Sequence, residues 1–430
     1  MTLPSRNAST PVPLAEDFTY ISTNRPLDRL QYLSIPSPPF LDMYYAVVHF
    51  ILGFVGMTVS ANIHIYSPRV SKGQNAVYWG QNGGGIVENN DLAAYCTSSS
   101  GIDIVILAFL YQFGNSHIAS GTIGQSCYIS LQGEPQNCDD LASAIATCRS
   151  NGVKIVLSLG GANGAYSLQS KSQAETIGQN LWDAYGNTAG SNNVPRPFGT
   201  NFVDGWDFDI ESNAGNQYYQ YMISALRSNF ASDPNNTYRI TGAPQCPIPE
   251  PNMGEIIAHA QFDYLWIQFY NNPSCSYPNS LNYKDWVSYI SGTLSAHAEI
   301  FLGLPASPLA ATGTDSGSQY YLSPNALASV INEFRNDPHF GGTMLWSAGF
   351  SDSNINGNCT YSQQAQEILL NGSPCSGNTN GSDKGNNGDD DNYVTLNSST
   401  GNGTPVQQWA QVSPSRLPLS SRASTLRSYS

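Results

Sequence analysis

The sequence has few charged residues for its length and very little positive charge. Only 11% of its 430 residues are charged, and 17 Lys and Arg stand against 31 Asp and Glu, which makes the formal net charge −14. Proteins that bind nucleic acid need a basic stripe or patch to contact phosphates, so this balance argues against that class. The composition fits an enzyme that acts on a neutral polymer in an acidic medium.

Sequence motifs for metal or dinucleotide binding are also missing. None of the eight Cys forms a Cys-x-x-Cys pair, the six His are scattered, and residues 83–85 are a lone glycine cluster. We therefore expect no zinc site, no other metal and no cofactor. An even number of well-spaced Cys favours disulfides and an oxidising compartment.

The apolar run at residues 46–59 is shorter than the roughly 20 apolar residues that span a membrane. Its length is typical of a signal-peptide core, and Val59-Ser60-Ala61 offers the small residues of a cleavage site. We predict a signal peptide at residues 43–61, with translation starting at Met43 and residues 1–42 a disordered or mispredicted extension. The alternative is a signal anchor, and without an anchor we expect no stable membrane association.

The C-terminal part has the composition of a low-complexity tail. Residues 376–430 are rich in Ser, Asn and Gly, and such a segment buries too little apolar surface to order itself. Six Asn-x-Ser/Thr sites fit the N-glycosylation pattern, at Asn235, Asn358, Asn371, Asn380, Asn397 and Asn402. Together with the signal segment, they predict a secreted glycoprotein, located outside the cell or in the cell wall.

Short apolar runs alternate with helical patterns between residues 75 and 370. The predicted strands are residues 76–79, 102–109, 154–159, 205–210, 239–243, 264–269, 299–304 and 342–346. The predicted helices are residues 139–149, 173–184, 217–230, 286–294 and 324–335. Eight strands alternating with helices predict an α/β fold, a closed (β/α)₈ TIM barrel, with an open doubly wound sheet as the alternative.

One predicted strand carries three acidic residues at alternate positions. Asp207, Asp209 and Glu211 would share one face, with Phe208 and Ile210 on the other. Neighbouring carboxyl groups that lose solvent repel one another, so at least one pKa should be raised, as a general acid requires. The position at the end of a barrel strand favours catalysis over a solvated sheet edge or a calcium site.

Motifs in this region resemble those of a known family. Asp204-x-x-Asp207-x-Asp209-x-Glu211 and Ser158-Leu159-Gly160-Gly161 resemble the signatures of glycoside hydrolase family 18. Five more segments, in family order, resemble class III chitinases of the hevamine type from plants and fungi: Tyr78-Trp79-Gly80-Gln81-Asn82, Ala243-Pro244-Gln245-Cys246-Pro247, Gln268-Phe269-Tyr270-Asn271-Asn272, Phe301-Leu302-Gly303-Leu304-Pro305 and Met344-Leu345-Trp346-Ser347. The resemblance covers about residues 75–370 and implies a chitinase, with chitin or chitooligosaccharides as substrate.

The resemblance also implies a mechanism in which the substrate's own N-acetyl oxygen attacks the anomeric carbon, with retention of configuration. Glu211 would protonate the glycosidic oxygen and later activate water. Asp209 would bind the acetamido N–H, and Asp207 would sit behind it and share a proton. Tyr270 would hold the N-acetyl carbonyl.

Five further residues match positions that line the family's binding cleft. Trp346 would form a floor beneath the apolar face of a sugar, because an indole ring suits such a surface. Tyr78, Gln81, Phe109 and Gln268 would line the cleft around it. Packing in the core is the alternative for Trp346, as it is for Tyr270.

Other residues of these motifs are expected to be structural. Asp204 has the opposite strand parity to the three acids, and Ser158 would shape the barrel interior. The resemblance suggests the disulfides Cys96–Cys148, Cys127–Cys138 and Cys246–Cys275, which leave Cys359–Cys375 as the last pair. Eight Cys alone allow 105 pairings.

Two other functions remain open beside the chitinase. One is a chitin-binding lectin on a catalytically weak barrel, although Glu211, Asp209 and Tyr270 are all retained. The other is a hydrolase of a different N-acetylglucosamine polymer, such as peptidoglycan. No large insertion separates Arg239 from Trp346, which favours an open groove and endo-type cleavage, and we expect a monomer.

Overall fold

The computed structural model describes residues 73–376, except 115–116 and 189–193. The predicted extension (1–42), the signal segment (43–61) and the tail beyond residue 376 lie outside the described residues. The strands are β1 (Gln74–Trp79), β2 (Ile104–Gly114), β3 (His117–Ile123), β4 (Cys127–Ile129), β5 (Pro135–Gln136), β6 (Lys154–Gly160), β7 (Ala165–Tyr166), β8 (Gly205–Asp209), β9 (Arg239–Gly242), β10 (Tyr264–Gln268), β11 (Glu299–Pro305) and β12 (Phe340–Trp346). The α-helices are α1 (Asp139–Ser150), α2 (Lys171–Tyr185), α3 (Tyr219–Phe230), α4 (Gly254–His259), α5 (Tyr283–Ile290), α6 (Pro324–Phe334), α7 (Ala348–Ser353) and α8 (Tyr361–Asn371). Short 3₁₀ helices cover Leu92–Tyr95, Asn216–Tyr218 and Asp315–Tyr320.

Eight of these strands form a closed parallel barrel. The order around it is β1, β12, β11, β10, β9, β8, β6 and β2, and β2 pairs with β1 to complete the ring. Val77 of β1 lies opposite Leu345 on one side and Val105 on the other. The (β/α)₈ barrel is thus confirmed, and an open doubly wound sheet is excluded because the order of the eight strands closes on itself and leaves no edge strand among them.

The barrel strands are apolar because both of their faces are buried, as in other parallel sheets. Trp266 and Phe301 pack edge to face inside the barrel, with 4.5 Å between ring centroids. Phe208 of β8 points outward and packs edge to face on Tyr219 of α3. This alternation directs Asp207 and Asp209 of the same strand to the barrel interior.

Four of the five predicted helices lie close to their expected positions, and the fifth needs correction. The helix predicted at residues 286–294 begins earlier and ends earlier, as α5, and Leu294 beyond it is 64% exposed. Gly292 lies two residues beyond the end of the helix and disfavours its continuation. The sequence patterns also failed to predict three helices, which are α4, α7 and α8. None of the described helices has the length and apolar character needed to cross a membrane.

A small antiparallel sheet extends the barrel on one side and was not predicted. The second half of β2 pairs with β3, which pairs with β4, which pairs with the two-residue strand β5. The three disulfides that the resemblance suggested are present, as is the remaining pair Cys359–Cys375. Of these, Cys127–Cys138 joins β4 to the start of α1.

Candidate active site

A cleft opens at the carboxyl ends of the barrel strands, where barrel enzymes carry their active sites. Aromatic rings and polar side chains alternate along its wall, and loops after β1, β6 and β11 form its rim. The lining residues are Tyr78, Gln81, Asn82, Gly83, Phe109, Tyr111, Gly160, Gly161, Ala162, Asn163, Asp209, Glu211, Gln268, Tyr270, Ala310, Ala311, Thr312, Gly313, Trp346 and Phe350.

Asp207 lies below the cleft and is fully buried. Tyr78 and Ser158 donate hydrogen bonds to its Oδ2 over 2.7 and 2.6 Å, and Thr241 and Trp266 donate to its Oδ1 over 2.8 Å each. Burial raises the pKa of Asp207, and these four donors oppose that rise. Four donors fill the accepting capacity of a carboxylate and favour its ionised form, and the sharing of a proton between Asp207 and Asp209 stays a prediction.

Asp209 is the last residue of β8 and faces the cleft. The Gln268 amide donates to its Oδ1 over 3.1 Å and to the Ala243 carbonyl over 2.9 Å. Burial, followed by the charges of Glu211 and Asp207, raises the pKa of Asp209 well above its usual range.

Gly160, in the motif Ser158-Leu159-Gly160-Gly161, must be a glycine because it lies against the backbone of Asp209. A Cβ atom on Gly160 would lie 2.1 Å from the Asp209 carbonyl oxygen, and Gly160 has a φ of +114°. Only glycine allows the ends of β6 and β8 to approach this closely, so the motif shapes the cleft without touching substrate through a side chain.

Glu211 lies two residues beyond the end of β8 and is partly buried. Burial raises the pKa of its carboxyl group to about 7, a hydrogen bond from the Gln245 side chain opposes the rise, and the Glu250 charge adds to it. The backbone N–H of Glu211 donates to the Tyr166 hydroxyl over 2.9 Å, and that hydroxyl donates to the Gly161 carbonyl over 3.0 Å. The acid is thus held through its backbone as well as its side chain.

Tyr270 and Trp346 lie at the cleft beside the acids. Tyr270 is 5% exposed, and burial together with the charges of Asp209 and Glu211 raises the pKa of its hydroxyl well above 10. Trp346 ends β12 and is half-buried, with its ring stacked on Phe109 at 6.0 Å and edge-on to Tyr78 at 5.5 Å. A partly exposed indole backed by two rings can serve as a flat platform for a sugar.

The other predicted binding residues also line the cleft, but several are occupied by protein contacts. The Tyr78 hydroxyl is bound to Asp207, and the Gln268 amide is bound to Asp209. The Gln81 amide donates to the Ala108 carbonyl over 3.0 Å. Phe109 is 7% exposed and supports Trp346. These contacts indicate that the group sets the shape of the cleft as much as it offers groups to a ligand.

Several residues of the site were not found from the sequence. Thr241 and Trp266 bind Asp207 from strands β9 and β10, Gln245 binds Glu211 from the loop after β9, and Tyr166 reaches the Glu211 backbone from β7. Gln245 lies inside a motif that the resemblance had singled out, which was a usable signal. Tyr166 carries no such signal, because only the folded chain brings β7 beside Glu211.

The cleft is arranged for proton transfer. Asp209 and Glu211 are the only carboxyl groups among its described lining residues, and both come from the end of β8. No group of three or more His, Cys, Asp or Glu among the described residues is placed to hold a metal ion. A glycosidic bond in the cleft could receive a proton from Glu211, while a protein nucleophile on the opposite face of the sugar is missing from the described lining.

Comparisons with known proteins agree with this geometry. The family model of glycosyl hydrolases family 18 matches residues 74–332. A curated relative is Endochitinase 2 of Metarhizium robertsii, which is 62% identical over 330 residues that cover 74% of this chain and 78% of the relative.

Solved structures with the same barrel include proteins of different activities. A chitinase from Ipomoea carnea aligns with a TM-score of 0.56 and 32% identity, over 68% of this chain and 99% of that one. A xylanase and alpha-amylase inhibitor protein from Scadoxus multiflorus aligns with a TM-score of 0.54 and 31% identity, over 69% of this chain and 97% of that one. The barrel alone therefore does not decide between an enzyme and an inhibitor, and the residues of the cleft must.

Proposed function

The chain belongs to family 18 of the glycosyl hydrolases, and from this premise we propose that it is an endochitinase. It hydrolyses β-1,4 bonds between N-acetylglucosamine residues of chitin and retains the configuration at the anomeric carbon. The 62% identity to a relative named Endochitinase 2 supports both the substrate and the endo-type cleavage.

The observation that carries the mechanism is the placement of the cleft carboxyl groups. Asp209 and Glu211 come from one strand end, so they approach a bound sugar from the same side. A two-carboxylate retaining glycosidase needs its second carboxylate as a nucleophile across the bond from its acid. With none among the described lining residues, the nucleophile is assigned to the substrate, whose N-acetyl oxygen lies next to the anomeric carbon.

The roles of the residues follow from their surroundings. Glu211 is protonated below pH 7, because burial raises its pKa to about 7, so it can donate a proton to the glycosidic oxygen. Asp209 accepts the acetamido N–H and stabilises the positive charge of the oxazolinium ion. The Tyr270 hydroxyl donates a hydrogen bond to the N-acetyl carbonyl, and Trp346 supports the apolar face of the sugar. Water then attacks with Glu211 as the base.

A binding protein without activity is the second candidate, because the Scadoxus multiflorus inhibitor protein shares the barrel. The full set of Glu211, Asp209 and Tyr270 on the cleft favours the enzyme. A lectin or inhibitor would not need an acid whose pKa is raised into the working range of a proton donor.

We also propose that the protein is secreted and acts as a monomer. Residues 43–61 would direct export and residues 75–370 would be the catalytic domain, with 376–430 as a glycosylated tail. Four disulfides among the described residues suit an oxidising compartment, and the sequon residues Asn235 and Asn358 are exposed.

The proposal is tested by turnover of a soluble chitooligosaccharide, with the wild type beside Glu211→Gln. We expect the wild type to release the β-anomer first, which NMR can follow directly. Glu211→Gln should lose at least about a thousandfold in kcat, because both proton transfers of the reaction use this carboxyl group, each worth a factor of about 10²–10⁴. Its affinity for the oligosaccharide, measured by calorimetry, should remain close to that of the wild type.

Either of two results would contradict the assignment. Substantial turnover by Glu211→Gln would remove this residue from the role of acid. An α-anomer as the first product would mean inversion, and the substrate could then not supply the nucleophile.

A further inference from the structure

The loop after β9 is fixed rigidly at the edge of the cleft. Cys246, next to Gln245, is joined to Cys275 of the loop after β10. The Cys246 carbonyl accepts hydrogen bonds from the Asn282 amide and the Trp286 indole, each over 2.9 Å. The backbone around Gln245 is therefore fixed by contacts with two neighbouring segments.

A buried carboxyl group fixes the rest of this loop. Glu250 is 6% exposed and accepts backbone hydrogen bonds from Gln245 at 3.3 Å, Asn252 at 2.8 Å, Gly254 at 2.9 Å and Met253. These donors close the segment into a compact turn that leads into α4.

The side-chain amide of Gln245 is oriented by a second amide. Asn272 donates from Nδ2 to the Gln245 Oε1 over 3.4 Å and to the Tyr270 carbonyl over 3.3 Å. With its oxygen occupied in this way, the Gln245 amide presents its N–H groups to the Glu211 carboxyl group, to which it is hydrogen-bonded. The disulfide Cys246–Cys275 holds the two amide-bearing loops together.

We propose that Gln245 is a positioning residue that fixes the direction of the Glu211 carboxyl group and stabilises its ionised form. A hydrogen bond from an N–H donor stabilises the ionised carboxylate more than the protonated carboxyl group. Glu211 must be protonated to cleave the bond and ionised to activate water, and Gln245 sets the balance between these two states. This inference rests on the proposed function, since it concerns the acid of that reaction.

The other groups that face Glu211 either destabilise its carboxylate or carry no charge. Asp209 from β8 and Glu250 from the loop after β9 add negative charge, and Tyr270 and Tyr166 bring hydroxyl groups from the loop after β10 and from β7. No Lys or Arg is among the described residues that line the cleft. Gln245 is therefore the donor that opposes burial and repulsion at this carboxyl group.

The test is the pH dependence of kcat/KM for Gln245→Met, a variant of similar size without the donor. The wild type should lose activity as the pH rises through about 7, because Glu211 then gives up the proton that it must donate. Without the Gln245 amide, the ionised form of Glu211 is less stable. The limb of the pH profile on which activity falls should therefore move upward by about one pH unit or more. The kcat should also fall by about tenfold, with KM little changed, because the direction of the acid is no longer fixed.

Two further variants separate this role from simple packing. Gln245→Glu has the same shape and replaces the donor with a second acid, so its limb should move upward further. Asn272→Ala should move the limb in the same direction by less, because it only releases the amide oxygen. A limb that stays within about 0.3 pH units of the wild type in both Gln245 variants would overturn the proposal. If Gln245→Met does not fold, Gln245→Glu decides by the same measurement.

A direct titration distinguishes this inference from the function on which it rests. Carboxyl ¹³C NMR of glutamate-labelled protein, with Glu211 assigned by its loss in Glu211→Gln, reports the pKa without any turnover. An upward shift in Gln245→Met supports the proposal even if no chitooligosaccharide is hydrolysed. An unchanged titration contradicts it even if the wild type is an active chitinase.

Discussion

The carboxyl groups at the end of β8 differ in their surroundings, although they come from the same few residues of chain. Asp207 is enclosed by hydroxyl and indole donors, Asp209 receives one amide, and Glu211 lies partly open to the cleft. A carboxylate with many donors is stabilised in its charged form, whereas one without them keeps its proton to higher pH. The donors around Asp207 thus favour its ionised form against the effect of burial, whereas Glu211 is suited to exchange a proton.

The contribution of one donor to Asp207 can be measured with Thr241→Val, which keeps the shape and removes the hydroxyl. The Thr241 hydroxyl donates to this carboxyl group over 2.8 Å in a fully buried setting. A hydrogen bond to a charged group is worth about 1.5–3 kcal/mol, so the free energy of unfolding should fall by about that amount at neutral pH. The kcat should fall on the order of tenfold if Asp207 shifts toward its neutral form.

The chain offers a matched control in Thr343→Val. Thr343 is equally buried on a barrel strand, but it donates over 2.8 Å to the neutral amide oxygen of Asn75. Its loss should cost only about 0.5–1.5 kcal/mol in urea unfolding and leave kcat unchanged. Equal costs for the two variants at every pH would show that the charge on Asp207 is not what Thr241 stabilises.

At the residue scale, the sequence could predict the acids but not most of their partners. Asp207, Asp209 and Glu211 are visible because period-two spacing places them on one face and apolar residues between them indicate a buried strand. Ser158, Thr241 and Trp266 come from three other strands, and nothing local in the chain indicates that they converge on one carboxyl group. Gln245 depends on a disulfide and a second loop for its position, so its role follows only from the fold.

At the scale of elements, the barrel strands were predictable because each is an apolar run bounded by polar or glycine-containing segments. All eight predicted strands overlap the barrel strands, with ends that differ by a few residues. The outer sheet from β3 to β5 was missed, since its strands are short, partly polar and stabilised by pairing and by Cys127–Cys138. The end of α5 was predicted too late, because Leu294 continues the apolar pattern although the backbone has already left the helix.

Closure of the barrel depends on a glycine in β12. A Cβ atom on Gly342 would lie 1.9 Å from the carbonyl oxygen of Gln74, its partner on β1, and the residue has a φ of +135°. We expect Gly342→Ala to lower the free energy of unfolding by more than about 3 kcal/mol, because the clash with backbone can be relieved only by separating the two strands.

Gly199→Ala is the control for the backbone conformation alone. Gly199 also has a positive φ, of +59°, but no atom lies within 4 Å of its added Cβ. Its cost in chemical denaturation should be about 1–2 kcal/mol. Similar losses for both variants would mean that β1 and β12 can move apart without penalty.

At the scale of the whole molecule, several carboxyl groups are buried without a basic partner. Glu88 is 4% exposed and accepts hydrogen bonds from the backbone of Gly80 and Gly349, and burial raises its pKa to about 8. Burial likewise raises the pKa of Glu211 to about 7. An acid whose pKa is raised by folding binds protons more tightly in the native state, so it favours the native state at low pH.

The protein should therefore lose stability as the pH rises from about 4.5, the ordinary pKa of a glutamate, to about 8. Within this window the two groups are increasingly ionised in the unfolded chain while folding still holds them protonated. We expect the melting temperature to be highest near the acidic end and to fall toward pH 8, by an amount equivalent to a few kcal/mol.

Glu88→Gln should reduce this fall, chiefly at the upper end of the window, because the amide does not ionise. Glu134→Gln, at an exposed position, should leave the profile as it is in the wild type. A melting temperature that rises steadily from pH 4.5 to 8 would contradict the role given to the buried acids.

The pairing of β1 with both β2 and β12 has a consequence for the order of the chain itself. Gly73, just before β1, lies against Leu369 near the end of α8, so the barrel begins and finishes at neighbouring points. These points are at the amino end of β1, and the cleft is at the carboxyl ends of the strands. The ring has no obligatory first strand. A short linker from residue 376 to residue 73, with new ends opened in another connection, would keep Cys359–Cys375 and give a circular permutant with every strand pair and the same cleft.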